Sequence, residues 1–424
     1  MRAAEEAQRL PAAGGAVRLL ERALRLAATL PDGSEADARE LALVTATLAP
    51  LAIVEGYSGT RLAERQRRGL ELARALRTEP EPPLLRSAAM TALAAGDFDR
   101  SRQFAGRLRE RAERANDDVQ RVESDYVLGI SAYWRGELEA ARAHFEAAVD
   151  RYRPRHRPTH VVRYGMDPAV VCMSRLGNTL WFLGRPRAAA RARDSALTLA
   201  DEVAHPATVT TAEVFAAMLA LELRDGDGIR RHTATLAAGA GAHDVRVVQA
   251  NVPAFTGYVD VLDGRWEQGL ERIRRAHDEA RRSEHAPGLS ATVARLLAEA
   301  CVVAGDPRSG LVAADALLES RAGLWDAEAL RLRAEFRAAA GAPLEELCGD
   351  LERALAVARR QRARSLELRA ATSLVRHGLA PRELLEAAIA GLPEDGATPD
   401  RRTAEALLAR GTLAERPPRH PAEP

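Results

Sequence analysis

The sequence predicts an all-α fold, a right-handed superhelix (solenoid) of about eight helix pairs. The first observation behind it is a glycine-centred phrase that recurs at Gly56, Gly96, Gly136, Gly184, Gly226, Gly264, Gly305 and Gly341, at intervals close to forty residues. The second is that no segment sustains the alternation of apolar and polar residues that a strand needs. The third is an Ala-rich helical pattern on the far side of each glycine, as in Gly136-Glu137-Leu138-Glu139-Ala140-Ala141-Arg142. A period of this length marks a solenoid, because one helix pair cannot bury its apolar face alone and must be covered by its neighbours.

Taken in order, a first helix spans about 17–30 and stops at Pro31-Asp32-Gly33, where Pro and Gly end helices, and Ser34 can cap the next. Helix pairs then follow at 35–54 with 60–77, 84–95 with 98–115, 118–134 with 138–151, and 168–183 with 186–203. They continue at 207–223 with 228–238, 245–262 with 266–283, 288–304 with 308–320, and 324–340 with 344–361. A helix at 366–376 and a less regular one at 381–390 close the array. The repeat region is therefore expected to cover 1–378, with 379–424 forming an irregular helix and a Pro-rich, partly disordered tail in which 403–410 can form a short helix. The interval between Gly136 and Gly184 is the longest, and it holds Arg151 to His160, whose Pro154 and Pro158 predict a basic loop rather than a helix.

Composition narrows the function classes. Apolar residues make up 46% of the 424 residues and aromatics only 4%, so the core is built from Ala, Leu and Val. The net charge of +1 gives no global field toward nucleic acid or anionic lipid. All 61 basic residues are Arg, which excludes a P-loop lysine, a Schiff base and a lysine general base. Cys172, Cys301 and Cys348 lack CxxC spacing and read as buried thiols. Residues 1–15 carry no apolar run of a signal peptide, and the longest apolar stretch, 41–54, is too short for a bilayer, so a cytoplasmic location is expected.

Particular spacings match the tetratricopeptide pattern. Leu128-Gly129 and Leu176-Gly177 stand eight and seven residues before Gly136 and Gly184, and Ala141, Phe145 and Ala148 stand five, nine and twelve after Gly136. Further segments carry a closer resemblance: Tyr164-Gly165-Met166-Asp167-Pro168-Ala169 leading to Leu180-Trp181-Phe182-Leu183-Gly184, Arg353-Ala354-Leu355-Ala356-Val357-Ala358, Ser365-Leu366-Glu367-Leu368-Arg369, and Thr398-Pro399-Asp400 followed by Ala404-Glu405-Ala406-Leu407-Leu408. Together they resemble the helical repeat region of bacterial STAND-type signalling ATPases, adenylate or guanylate cyclase fusions and related transcriptional regulators among them. That resemblance implies a sensing or partner-binding arm. The ATPase, cyclase and DNA-binding parts of the family have no counterpart in these residues, so no catalytic residue carries over.

The first helix of each pair should turn side chains into a concave groove at fixed offsets from the glycine. This predicts a partner-binding groove of Glu123, Tyr126, Tyr133, Ser174, Asn178, Trp181, Asn251, Tyr258, Arg295 and Glu299, with Asn for peptide backbone and aromatics for contact area. A second candidate is an anion-binding loop of Arg153, Arg155, His156, Arg157, His160 and Arg163, since Arg forks onto oxyanions. His156 and His160 have HxxxH spacing, but Pro158 between them argues against a helical metal site, and no metal or cofactor is expected. Ser283-Glu284-His285 sits at a helix end without a nucleophile elbow, and Gly226-Asp227-Gly228 lacks the strand that a phosphate loop follows. Trp134, Trp181, Trp266 and Trp325 are expected to staple adjacent pairs.

These readings converge on a non-enzymatic scaffold or sensor that binds a protein or peptide partner, an ATPase or regulator among the candidates, without direct contact to nucleic acid or membrane. The alternative is an effector-sensing fragment of a STAND regulator that binds a small molecule, and an enzyme on a helical scaffold is the third reading.

Overall fold

The turn that the glycine phrase encodes is visible residue by residue. In the computed structural model, which describes residues 13–414 apart from 30, 32, 241–245, 283–286, 321 and 395, Gly96 adopts φ 72° at the end of one helix. Its N–H bonds Leu93 O at 3.0 Å, and the N–H of Asp97 bonds Ala92 O at 2.9 Å, satisfying carbonyls that the helix end leaves free. The Asp97 carboxylate then accepts from the Arg100 N–H and opens the next helix. Asp306 does the same after Gly305, accepting from the Ser309 N–H at 3.1 Å. Seven of the eight phrase glycines have positive φ. The exception is Gly226, which starts a helix while Arg224 takes the left-handed φ of 54°, so this turn stands two residues earlier than the phrase suggests.

The chain opens with α1 (Ala13–Ala27), and eight pairs follow. They are α2 (Ser34–Glu55) with α3 (Thr60–Ala75), α4 (Pro82–Ala94) with α5 (Phe98–Arg114), and α6 (Asp118–Trp134) with α7 (Leu138–Arg151). After an inserted helix α8 (Arg157–Tyr164) come α9 (Pro168–Phe182) with α10 (Pro186–Val203), α11 (Pro206–Glu222) with α12 (Gly226–Ala240), and α13 (Arg246–Leu262) with α14 (Trp266–Arg282). The last of the eight are α15 (Pro287–Ala304) with α16 (Pro307–Glu319) and α17 (Asp326–Ala339) with α18 (Leu344–Gln361). A shorter pair, α19 (Arg364–Arg376) with α20 (Arg382–Ala390), turns at Gly378 with φ 68°, and α21 (Pro399–Ala414) packs on α19. No strand occurs among the described residues. The chain is an all-α, tetratricopeptide-like solenoid.

Two elements correct the sequence reading. The basic segment does not stay a loop: a 3-10 turn at Pro154–His156 runs into α8, with Pro158 in its first turn, where a missing N–H costs nothing. Trp266 is 52% exposed and staples nothing, whereas Trp181 and Trp325 are buried. Cys172 and Cys301 are buried and Cys348 is half-buried. Ser283, Glu284 and His285 lie outside the described residues, as do the Pro-rich tail beyond 414 and residues 1–12. No described helix is long and apolar enough to cross a membrane.

Small residues set the spacing within pairs. A Cβ on Gly257 of α13 would stand 2.7 Å from the Gly269 carbonyl of α14, and a Cβ on Gly269 would stand 2.5 Å from the Gly257 carbonyl. The second helices bury one stripe, as Ser101, Ala105, Leu108 and Ala112 do on α5. The first helices are different. Most residues of α4, α6, α9 and α11 are buried, because these helices pack on their own partner, on the neighbouring first helices and, across the axis, on more distant turns.

Those cross-axis contacts close the superhelix on itself. The Trp134 ring stands edge-on to Trp325 at 5.9 Å. Ser365 Oγ donates to the Trp181 carbonyl at 2.5 Å, and the Arg369 guanidinium lies 4.7 Å over the Trp181 ring. The Arg187 N–H donates to the Glu394 carboxylate at 3.0 Å.

Candidate functional site

The ten residues expected to line an open groove are all buried. Most of them fall into two polar groups, and Asn251 is buried on α13.

In the first group Glu123 sits between Arg86 and His160. Its carboxylate faces Arg86 Nε at 3.3 Å and His160 Nδ1 at 2.7 Å. Arg86 also donates to the Tyr57 hydroxyl and stacks 4.6 Å over Tyr126. Burial opposes ionisation of the Tyr126 phenol and pushes it up to about 12, against the pull of Arg86. Tyr133 stands edge-on to Phe215 at 6.2 Å. Ser174 Oγ donates to the Val170 carbonyl within α9 at 2.8 Å, and Asn178 Nδ2 donates to the Phe215 carbonyl at 3.0 Å, which ties α9 to α11.

The anion-binding loop is not assembled. His160 is fully buried on Glu123, and Arg157 donates to the Tyr152 hydroxyl at 3.3 Å and pairs with Asp167 at 3.5 Å. Arg153, Arg155 and Arg163 are exposed and His156 is half-buried. Folding of α8 is the physical reason: it turns two of the six residues inward, and with them goes the HxxxH pair.

The second group is an ion network where α11, α15, α17, α19 and α21 meet. Arg369 donates to Glu222 at 2.9 Å, to Glu328 at 3.1 Å and to Asp400 at 2.8 Å. Arg295 pairs with Glu299 at 2.8 Å and with Glu222 at 3.3 Å, and Arg331 forks onto Glu328 with two bonds of 2.9 Å. Burial opposes ionisation of Glu328, yet the guanidiniums of Arg331 and Arg369 outweigh it and hold this carboxyl well below the usual range. Glu299 is lowered in the same way by Arg295 and Arg224. Burial raises the Tyr258 phenol, whose hydroxyl lies in the field of Glu299.

Above this network opens a cleft of about 310 Å³. Arg224, Arg331 and Arg376 face Glu299, Glu335 and Asp400 across it, with Thr372, Ser373 and Thr403 between them and Val302, 46% exposed, at its edge. Glu335 accepts from Ser373 Oγ at 2.5 Å and lies 3.5 Å from Arg376, which stays half-exposed. The lining alternates in sign, so the cleft suits a ligand that carries both hydrogen-bond donors and acceptors.

Asn251 is buried on α13 and enters neither group through a contact described here. The offsets missed Arg86, Arg175, Glu222, Glu328 and Arg369. A readable signal existed for two of them: Arg86 is the one charge in α4 and Arg175 the one charge in α9.

The chain matches no protein-family model. It matches no curated protein either. Among solved structures, a Rap protein complexed with competence and sporulation factor superposes with a TM-score of 0.60 at 12% identity, covering 85% of this chain and 96% of that one. Yeast Tom70 and a human IFIT1 dimer with PPP-AAAA align over 98% and 94% of this chain and 96% and 95% of theirs, at 12% identity each. Their TM-scores of 0.36 and 0.37 are too low to carry an argument. The Rap superposition shows a shared helical-repeat fold.

Proposed function

We propose that this chain is a non-enzymatic binding module that takes a short peptide or the end of a partner protein in the cleft between α15, α17, α19 and α21. The observation that carries this reading is the cleft itself, with alternating charge, three hydroxyls and one apolar edge at Val302. Peptide backbone and termini present donors and acceptors in the same alternation. A volume of about 310 Å³ lies at the low end of ligand pockets, which favours a few residues over a long segment. The shared fold of a Rap protein complexed with its factor supports a peptide ligand by analogy. A non-enzymatic role is supported by ionisation: Glu299, Glu328 and Glu335 are all lowered, whereas a general acid or base works best with its pKa near the operating pH. The resemblance to the repeat arm of STAND ATPases supports a partner in bacterial signalling or transcriptional regulation.

Selection of a peptide library on the full chain tests the proposal. Selected peptides should bind about tenfold more weakly to Arg376→Ala and to Val302→Asp, as expected for a lost charge-assisted bond or apolar contact. Selected peptides indifferent to both substitutions would overturn it. The cleft's size also favours a second reading, a small charged effector, which a metabolite thermal-shift screen would identify.

A further inference from the structure

Two polar side chains of the first helices, Arg175 and Tyr133, take no part in the cleft. Arg175 lies 4.1 Å from the centroid of the Phe215 ring, with its Nε and Nη1 shielded from water and without a hydrogen-bond acceptor. The residue as a whole keeps partial exposure. The other buried arginines of the first helices behave differently. Arg86 faces Glu123, Arg295 faces Glu222 and Glu299, Arg331 faces Glu328, and Arg369 faces three carboxylates. An arginine is not relieved of its charge by proton loss in a protein, so an unpaired buried one is a cost that something else must offset.

Tyr133 adds the second half of the site. It is fully buried, packs against the same Phe215 ring, and its hydroxyl has no partner. Arg175 offers donors alone, and the Tyr133 hydroxyl has a donor to give, so what both lack is an acceptor. A carboxylate has two acceptor oxygens in one plane and matches the guanidinium fork. The rings of Tyr126, Tyr133 and Phe215 form the surroundings, so the body that carries the carboxylate is apolar. We infer that Arg175 and Tyr133 form an interior site for an organic carboxylate with an aromatic or aliphatic body. It is built on α6, α9 and α11, whereas the cleft belongs chiefly to α15, α17, α19 and α21, and the inference does not depend on what the cleft binds.

The test uses the full chain and two readouts, thermal shift and titration calorimetry, with N-acetyl-phenylalanine, 4-phenylbutyrate, the amides of both, and inorganic phosphate. The carboxylates should raise the melting midpoint in proportion to the logarithm of their concentration, and the amides and phosphate should not. Arg175→Met should bind the carboxylates about 10- to 100-fold more weakly. Without any probe it should melt above the wild type, because it removes a buried charge that has no partner. Tyr133→Phe, which removes one oxygen and keeps the ring, should weaken binding about five- to tenfold, and it carries the test if the Met variant does not fold. Failure of both carboxylates to stabilise the wild type at millimolar concentration, an equal response to phosphate, or an unchanged response in Tyr133→Phe would each overturn the assignment.

Discussion

Asp326 shows how much one position in this array can depend on pH. It opens α17 beside a space of about 490 Å³ that Leu330 and Arg360 also line. Burial pushes its carboxyl up to about 6, against the opposing field of Arg360. The folded chain therefore holds this proton more tightly than the unfolded chain between an ordinary carboxyl value near 4 and about 6. Stability from this group falls as pH rises through that window and stays low above it. Asp326→Asn should remove a penalty of about 1–2 kcal/mol at pH 8, allowing for solvent screening, and change nothing at pH 4. Melting curves of both proteins at the two pH values check this, and a variant that melts below the wild type at pH 8 refutes it. At this scale the sequence was partly readable. A lone charge in an apolar helix marks a buried ion, as Arg86 and Arg175 do. Its partner comes from a helix far along the chain, and no local spacing identifies it.

At the scale of the element, the glycine phrase was legible because its physics is local. A left-handed residue must close one helix while the next residue caps another, and Gly followed by Asp does both at Gly96-Asp97 and Gly305-Asp306. Where a different residue takes the left-handed position, as Arg224 does, the phrase misplaces the turn by two residues. Proline misled in a similar way at α8, since its effect depends on whether it falls in the first turn or the interior of a helix. Contacts between helices are the next step up. Gly257 and Gly269 allow α13 and α14 to approach until each backbone carbonyl would meet the other's Cβ. Gly257→Ala should force the pair apart and cost about 1–3 kcal/mol, the range of overpacked cores. Urea unfolding would measure it, and a midpoint equal to the wild type would show that the pair has slack.

For the whole molecule, the groove expected from helix offsets became a filled axis. The offsets pick out side chains that are all buried and are silent about how far the superhelix winds, which depends on small rotations added over eight pairs. Arg369 shows the consequence, since it ties Glu222, Glu328 and Asp400 together and covers Trp181. Arg369→Met should leave buried carboxylates short of a cation and cost about 3 kcal/mol or more. It should also loosen the contact between turns, so small-angle scattering should report a larger radius of gyration. An unchanged radius together with an unchanged unfolding midpoint would show that the closure does not rely on this arginine.

Contacts across the axis also bear on how the chain is made. Ser365 reaches the Trp181 carbonyl from 184 residues away. At ribosomal rates of about 5–20 residues per second, Trp181 waits roughly 10–40 s for the segment that covers it. During that interval the newborn N-terminal half displays an uncovered indole, and Glu222 stands without its arginines, Arg295 and Arg369. A solenoid of this kind can begin to fold as it emerges, but it cannot finish until its last helices have left the ribosome.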